Sequence, residues 1–112
     1  MKTPSDYQQS IYDVVSLIPK GRVTSYGAIA QFLSLGSARI VGWALNRLSG
    51  NNPRQIPAHR VVNAKGVLTG WRAFGSPNTM ASLLQSEGVV VEGNRVVDFA
   101  STFWHPEELV EE

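Results

Sequence analysis

A chain of 112 residues with 43% hydrophobic content is near the common size of a single domain and can bury a core, which excludes a disordered tail. The absence of cysteine excludes disulfides, thiol catalysis and thiolate metal sites, and no apolar run approaches the ~18 residues of a membrane span. The net charge of +1 divides unevenly: residues 1–106 hold all ten Lys and Arg against five acids, while Glu107, Glu108, Glu111 and Glu112 make an acidic tail over about 105–112. A basic body fits a polyanionic partner, and with no leader of charged, apolar and small-residue blocks the chain is expected to be cytoplasmic.

Tyr7, Ile11, Val14, Val15 and Ile18 fall at helical spacing and predict a helix over 7–18, capped by Ser5 or Asp6 and stopped by Pro19-Lys20-Gly21. After a short extended piece at 22–24, a second helix is expected over 25–33 with Ile29, Ala30 and Leu33 inward. Gly36 can end it in left-handed geometry and Ser37 can cap the next, the punctuation of a helix-turn-helix. The third helix, 38 to about 48, sets Ile40, Val41, Ala44 and Leu48 at core spacing and leaves Arg39, Gly42, Trp43, Asn46 and Arg47 for other directions. Arg39, Gly42 and Asn46 share a face. A glycine inside a helix costs ~1 kcal/mol relative to alanine. Close approach of a partner backbone offsets that cost, and so does close packing against another helix.

Residues 49–55 read as a loop. Ile56-Pro57-Ala58-His59-Arg60-Val61-Val62 then reads as an extended segment entering a buried strand. A turn at 63–66 and a further extended piece at 67–69 make the pair a small hairpin, followed by Gly70-Trp71-Arg72. Ser76-Pro77 opens another helix with Met80, Leu83 and Leu84 inward, closed by Gly88. The valines of 89–98 flank a hairpin tip at Gly93-Asn94, and the aromatic end (Phe103, Trp104, His105) either docks on the domain or offers a partner surface.

Pro57-Ala58-His59-Arg60-Val61 resembles the Pro-Cys-His-Arg-Val active-site motif of the O6-alkylguanine-DNA alkyltransferases, with Ala58 standing where the acceptor cysteine would be. Residues 23–30 followed by Ala38-Arg39-Ile40-Val41-Gly42 resemble the helix-turn-helix of that family, and Leu83-Leu84-Gln85-Ser86-Glu87-Gly88 resembles its Leu-Leu-x-x-Glu-Gly. The pattern is similar to the alkyltransferase-like proteins, whose most familiar members carry Trp at the position of Ala58. The resemblance implies an α+β, mainly helical fold: a winged-helix-like DNA-binding domain with a helix-turn-helix and small β-hairpins, spanning 1–112 as one domain. It also implies a monomeric, non-enzymatic sensor without metal or cofactor, whose partners are double-stranded DNA carrying O6-alkylguanine and nucleotide excision repair proteins.

Carried over residue by residue, Tyr26 would crowd the phosphate 3′ to the lesion and Arg39 would enter the vacated base stack. Gly42, Asn46 and Arg47 complete the expected DNA-binding set. The expected lesion pocket is Tyr26, Pro57, Ala58, His59, Arg60, Trp71 and Arg72, with Trp71 as its aromatic wall. Ala58, His59 and Glu87 would be a vestigial relay, and Asn52-Pro53 matches a pair that braces the active-site turn. Two other classes compete. A sequence-specific helix-turn-helix transcription regulator would ignore alkylation, and a hydrolase using a serine with His59 and Glu87 is disfavoured by Ala58 and by the lack of a Gly-x-Ser-x-Gly elbow.

Overall fold

Helix α1 runs over Pro4–Val15 in the computed structural model, which describes residues 4–48 and 55–110. The expected bracing role of Asn52-Pro53, and the side chain of Arg72, lie outside what is described. The helix begins earlier than its apolar stripe suggests, because a proline at the first helical position has no N–H to lose. Asp6 therefore sits inside the first turn and is not the cap. Ile11, Val14 and Val15 are buried on α1, which packs on α3 (Ala38–Asn46), as the spacing predicts; the helix ends at Val15 and not at 18, so Ile18, also buried, lies in the turn beyond it.

Helix α2 (Tyr26–Phe32) is capped by Ser25, whose hydroxyl accepts from the Ala28 N–H at 3.0 Å. Its end differs from expectation: the left-handed residue is Ser34, at φ 58°, and not Gly36. Leu35 N–H reaches the Ala30 carbonyl at 2.8 Å and Ser34 N–H the Gln31 carbonyl at 3.2 Å, the bond pair that satisfies the last free carbonyls of a helix. A serine there carries a left-handed penalty of ~1–2 kcal/mol that glycine avoids, partly offset by the freedom glycine loses on folding. Ser34→Gly is expected to raise stability by roughly 0.5–1 kcal/mol, seen as a higher urea midpoint at unchanged slope. A lower midpoint would show that the serine side chain contributes more than its backbone loses.

Ser37 caps α3 by accepting from Arg39 N–H at 3.0 Å. The buried face of α3 is Val41, Ala44 and Leu45, with Ile40 and Leu48 only partly covered. Leu45 takes the inward place expected of Leu48 because the helix ends at Asn46, before that turn forms.

Among the described residues two small two-stranded sheets accompany the helices. Strand β1 (Thr24–Ser25) pairs in parallel with β2 (Val61–Val62), so the expected hairpin partner of Val61 is replaced by a strand from before the helix-turn-helix. Val67 bridges Arg95 instead, and the intervening turn is tied by Asn63 Oδ1, which accepts from Lys65 and Val67 N–H, each at 2.9 Å. The side-chain period of two then sends Val61 into a core with α1, α2 and α3 and Val62 into a second core with Val23, Leu68, Met80 and Leu84. The ribbon thus partitions the interior.

Helix α4 (Pro77–Ser86) is capped by Ser76 and buries Met80 and Leu84 completely. Leu83 is 38% exposed and not inward as expected, since the 80/84 seam alone meets the core. Gly88, at φ 91°, closes the helix, with Val89 N–H on the Leu84 carbonyl at 3.0 Å. Strands β3 (Val91–Glu92) and β4 (Arg95–Val96) form the expected antiparallel hairpin, its tip Gly93-Asn94 left-handed at both residues. After α5 (Phe99–Thr102), Val23 exchanges backbone bonds with Thr102 and Trp104, and Trp104, 2% exposed, enters the first core. The docking alternative therefore holds for Trp104. The architecture is the mainly helical α+β one expected, and among the described residues no helix is long and apolar enough to cross a membrane.

Candidate nucleic-acid interface

The motif does not run extended into β2. Pro57, at φ −80° and ψ 66°, makes a tight turn in which Ala58 N–H bonds the Ile56 carbonyl at 2.8 Å, and Ala58–Arg60 is one turn of 3₁₀ helix. The pre-proline restriction acts on Ile56 only, so it leaves the three residues after Pro57 free to curl. The curl divides them: Ala58, 9% exposed, faces a cavity and packs with the first core, whereas His59 and Arg60 turn to Glu87 at the end of α4.

That cavity, about 90 Å³, is lined by Gly42, Leu45 and Asn46 from α3, Tyr26 from α2, Ala58 from the motif, and Thr69, Gly70, Ala73 and Phe74 from a 3₁₀ turn at Thr69–Phe74. Small residues make it. A Cβ on Gly42 would meet no atom within 4 Å, so close packing against a neighbouring helix does not require this glycine. Gly70 is different: a Cβ there would lie 2.6 Å from the Tyr26 hydroxyl. Tyr26 is half-buried; burial pushes its pKa up and a side-chain hydrogen bond with Thr69 opposes this. The phenol stays protonated near neutrality.

Behind Ala58 lies a nearly dry ion-pair network. His59 Nε2 is 3.0 Å from Glu87 Oε2, Arg60 Nε donates to Glu87 Oε1 at 3.0 Å, and Arg60 Nη2 donates to Oε2 at 2.5 Å. Arg60 Nη1 also donates to the Ile18 carbonyl at 2.7 Å. The side chains of His59, Arg60 and Glu87 are 12%, 13% and 8% exposed. Burial alone would raise the Glu87 pKa, but hydrogen bonds from Arg60 and His59 and their charges outweigh it and lower it from 4.5 to about 2. Burial lowers the His59 pKa, helped by the Arg60 charge and opposed by Glu87. A neutral imidazole donating Nε2–H to a carboxylate is the arrangement these directions describe.

The other expected residues spread out. Pro57, His59 and Arg60 line a separate open groove with Phe74 and Leu83. Trp71 packs against the second core and is not on the cavity wall. Arg39 is exposed at the start of α3, and Arg47 lies over the ring of Trp43, 5.0 Å from its centroid. Sequence reading misses Leu45, Thr69, Gly70, Ala73 and Phe74 as lining residues. The available signal is the small-residue spacing Thr69-Gly70 with Ala73, one helical turn on, in a stretch that reads as extended. Among the described residues no group of three or more His, Cys, Asp or Glu could hold a metal ion.

Residues 6–89, which contain α2, α3, the Ala58 turn and Glu87, match the family described as 6-O-methylguanine DNA methyltransferase, DNA binding domain. The chain belongs to this family. It is 34% identical over 108 residues to the DNA base-flipping protein of Escherichia coli, covering 94% of this chain and 79% of that one. It is 42% identical over 86 residues to the methylated-DNA–protein-cysteine methyltransferase of Mycobacterium tuberculosis, covering 74% of this chain but only 48% of the relative. The chain thus spans about half the length of that methyltransferase. A crystal structure of the Schizosaccharomyces pombe alkyltransferase-like protein in complex with damaged DNA containing O6-carboxymethylguanine superposes with a TM-score of 0.81 at 28% identity, covering 95% of this chain and 100% of that one. The resemblance read from the motifs is therefore a family relationship, and the fold carries it.

Proposed function

We propose that the protein is a non-enzymatic sensor of alkylated DNA: α3 enters the minor groove, an O6-alkylguanine rotates out of the duplex over Ala58, and the held lesion is flagged for nucleotide excision repair. The observation that carries this reading is the cavity at the junction of α3 and the Ala58 turn, floored by an alanine in a chain with no sulfhydryl to accept an alkyl group. Ala58 takes the cysteine's place, so binding ends in retention and not transfer. The relatives, a DNA base-flipping protein and an alkyltransferase-like protein seen on damaged DNA, support the same reading.

At about 90 Å³ the cavity is well below the roughly 300–1,000 Å³ of ligand pockets. A purine therefore enters as the Thr69–Phe74 turn moves outward, parting Gly70 from the Tyr26 hydroxyl. Alkylation at O6 removes the guanine N1–H, so discrimination rests on shape, apolar contact and the changed base edge, each methylene adding roughly 1 kcal/mol. The network of His59, Arg60 and Glu87 keeps the turn in shape.

The direct test compares affinity for an O6-methylguanine duplex with that for its intact twin. Tighter binding to the damaged duplex is expected; equal binding would fit a helix-turn-helix regulator and end the sensor reading. Gly42→Ala sharpens it, because the two consequences have opposite signs. Stability should rise by up to about 1 kcal/mol from helix propensity, while duplex affinity should fall by about tenfold as the methyl group holds the groove away. Unchanged affinity would remove Gly42 from the contact surface.

A further inference from the structure

Arg39 and Trp43 on α3 and Arg47 at its C-cap, still in helical geometry, recur every four residues and so form one ridge, beside the row that carries Gly42 and Asn46 to the cavity mouth. The body of Trp43 packs against the first core, while Arg39 and Arg47 are exposed. The Arg47 guanidinium carbon is 5.0 Å from the Trp43 ring centroid, within cation–π range. The turn bearing them is pinned to α1, because Tyr12 donates its hydroxyl to the Ala44 carbonyl at 2.6 Å. None of the three ridge residues lines the cavity. An exposed arginine ordinarily loses much rotamer freedom when it grips a phosphate, and stacking on an indole anchored in the core removes part of that loss beforehand.

We propose that Trp43 is a positioning residue that holds Arg47 as a preset clamp for a phosphate of duplex DNA, so that this end of α3 grips the backbone without reading the lesion. The inference rests on the duplex-binding reading above and sorts its residues: Gly42, Asn46 and the cavity see the damaged base, and the far end of the ridge sees only the strand. Duplex DNA is the partner this end of the ridge fits, since a planar, permanently charged fork matches phosphate oxygens.

The experiment is a double-mutant cycle. Arg47→Ala, Trp43→Leu, the pair together, and Trp43→Phe are titrated with intact and O6-methylguanine duplexes over a range of salt. Arg47→Ala should weaken both duplexes by the same factor, about five- to tenfold, and lower the salt slope by about 0.9, the loss of one phosphate contact. Trp43→Leu should reproduce most of that loss, the double variant should bind no more weakly than Arg47→Ala, and Trp43→Phe should restore binding because the ring persists. The proposal fails if Arg47→Ala leaves affinity and slope unchanged, if the two losses multiply, or if Arg47→Ala changes the ratio between damaged and intact duplex. Arg47 is exposed, so its variant folds and its result stands even where Trp43→Leu is unstable. A wild-type protein that binds both duplexes equally would overturn the sensor reading and leave the ridge to be judged on intact DNA; one that binds neither would overturn both.

Discussion

Glu87→Gln is expected to lower the free energy of unfolding at pH 7 by roughly 3–5 kcal/mol, the usual consequence of removing one partner from a buried ion pair. The carboxylate accepts from Arg60 and from His59 and is 8% exposed, so without its charge the Arg60 guanidinium remains at 13% exposure with neutral acceptors and no counter-charge from residue 87. The pH dependence identifies the cause. A carboxyl whose folded pKa is about 2 against 4.5 in the unfolded chain contributes stability that is present above 4.5 and fades as pH falls toward 2, on the order of 3 kcal/mol in all. His59 acts earlier: its folded pKa lies below the ordinary 6.5, so stability already declines as pH falls through that value, where the unfolded chain takes up a proton that the buried ring resists. Urea unfolding at pH 7, 5.5, 4 and 3 should therefore give the wild type a decline that steepens below 4.5. The Glu87→Gln variant should lose that lower limb and keep the histidine one. A loss below about 1 kcal/mol, or parallel pH curves, would mean that the network is a bystander.

The same network shows why the candidate site is only partly legible in the sequence. Helix positions and several caps follow from local rules, and Ser37, Ser76 and Gly88 act where those rules put them, whereas Ser25, expected inside its helix, caps it. The cavity follows from non-local ones. Ala58 and Gly42 are identifiable from motif and face, but Thr69, Gly70 and Ala73 reach the same cavity through a turn whose residues carry no apolar period. An indole suits stacking, which argues for Trp71 in the pocket, yet the parallel pairing of β1 with β2 builds a second core beneath it, and no local pattern announces that pairing. The error at the 3₁₀ turn has a similar origin. Val61 and Val62 favour a strand, and that preference does not extend backwards over Ala58, His59 and Arg60, whose conformation is set by three hydrogen bonds to a glutamate late in the chain.

Arg39→Ala should weaken binding to an O6-methylguanine duplex by about a hundredfold while weakening the intact duplex only a few-fold, because the two lose different things. Arg39 is the second residue of α3; its backbone N–H is held by Ser37, and its side chain is exposed and makes no ion pair among the described residues. Stability should consequently stay within about 0.5 kcal/mol of wild type. In the sensor reading the side chain supplies one phosphate contact on intact DNA. On damaged DNA, in the sensor reading, its guanidinium fills the place of the rotated base and offsets an unstacking cost of a few kcal/mol, and a hundredfold loss corresponds to about 2.7 kcal/mol. Arg39→Lys separates the two roles: the ammonium keeps the charge but lacks the plane that stacks and the fork that bonds an orphaned base. Lysine should restore intact-duplex affinity and leave the damaged duplex weak, with a fluorescent base analogue opposite the lesion reporting loss of the flipped state. Full rescue by lysine on both duplexes would reduce Arg39 to a charge and leave the ejected base without a residue to take its place in the stack.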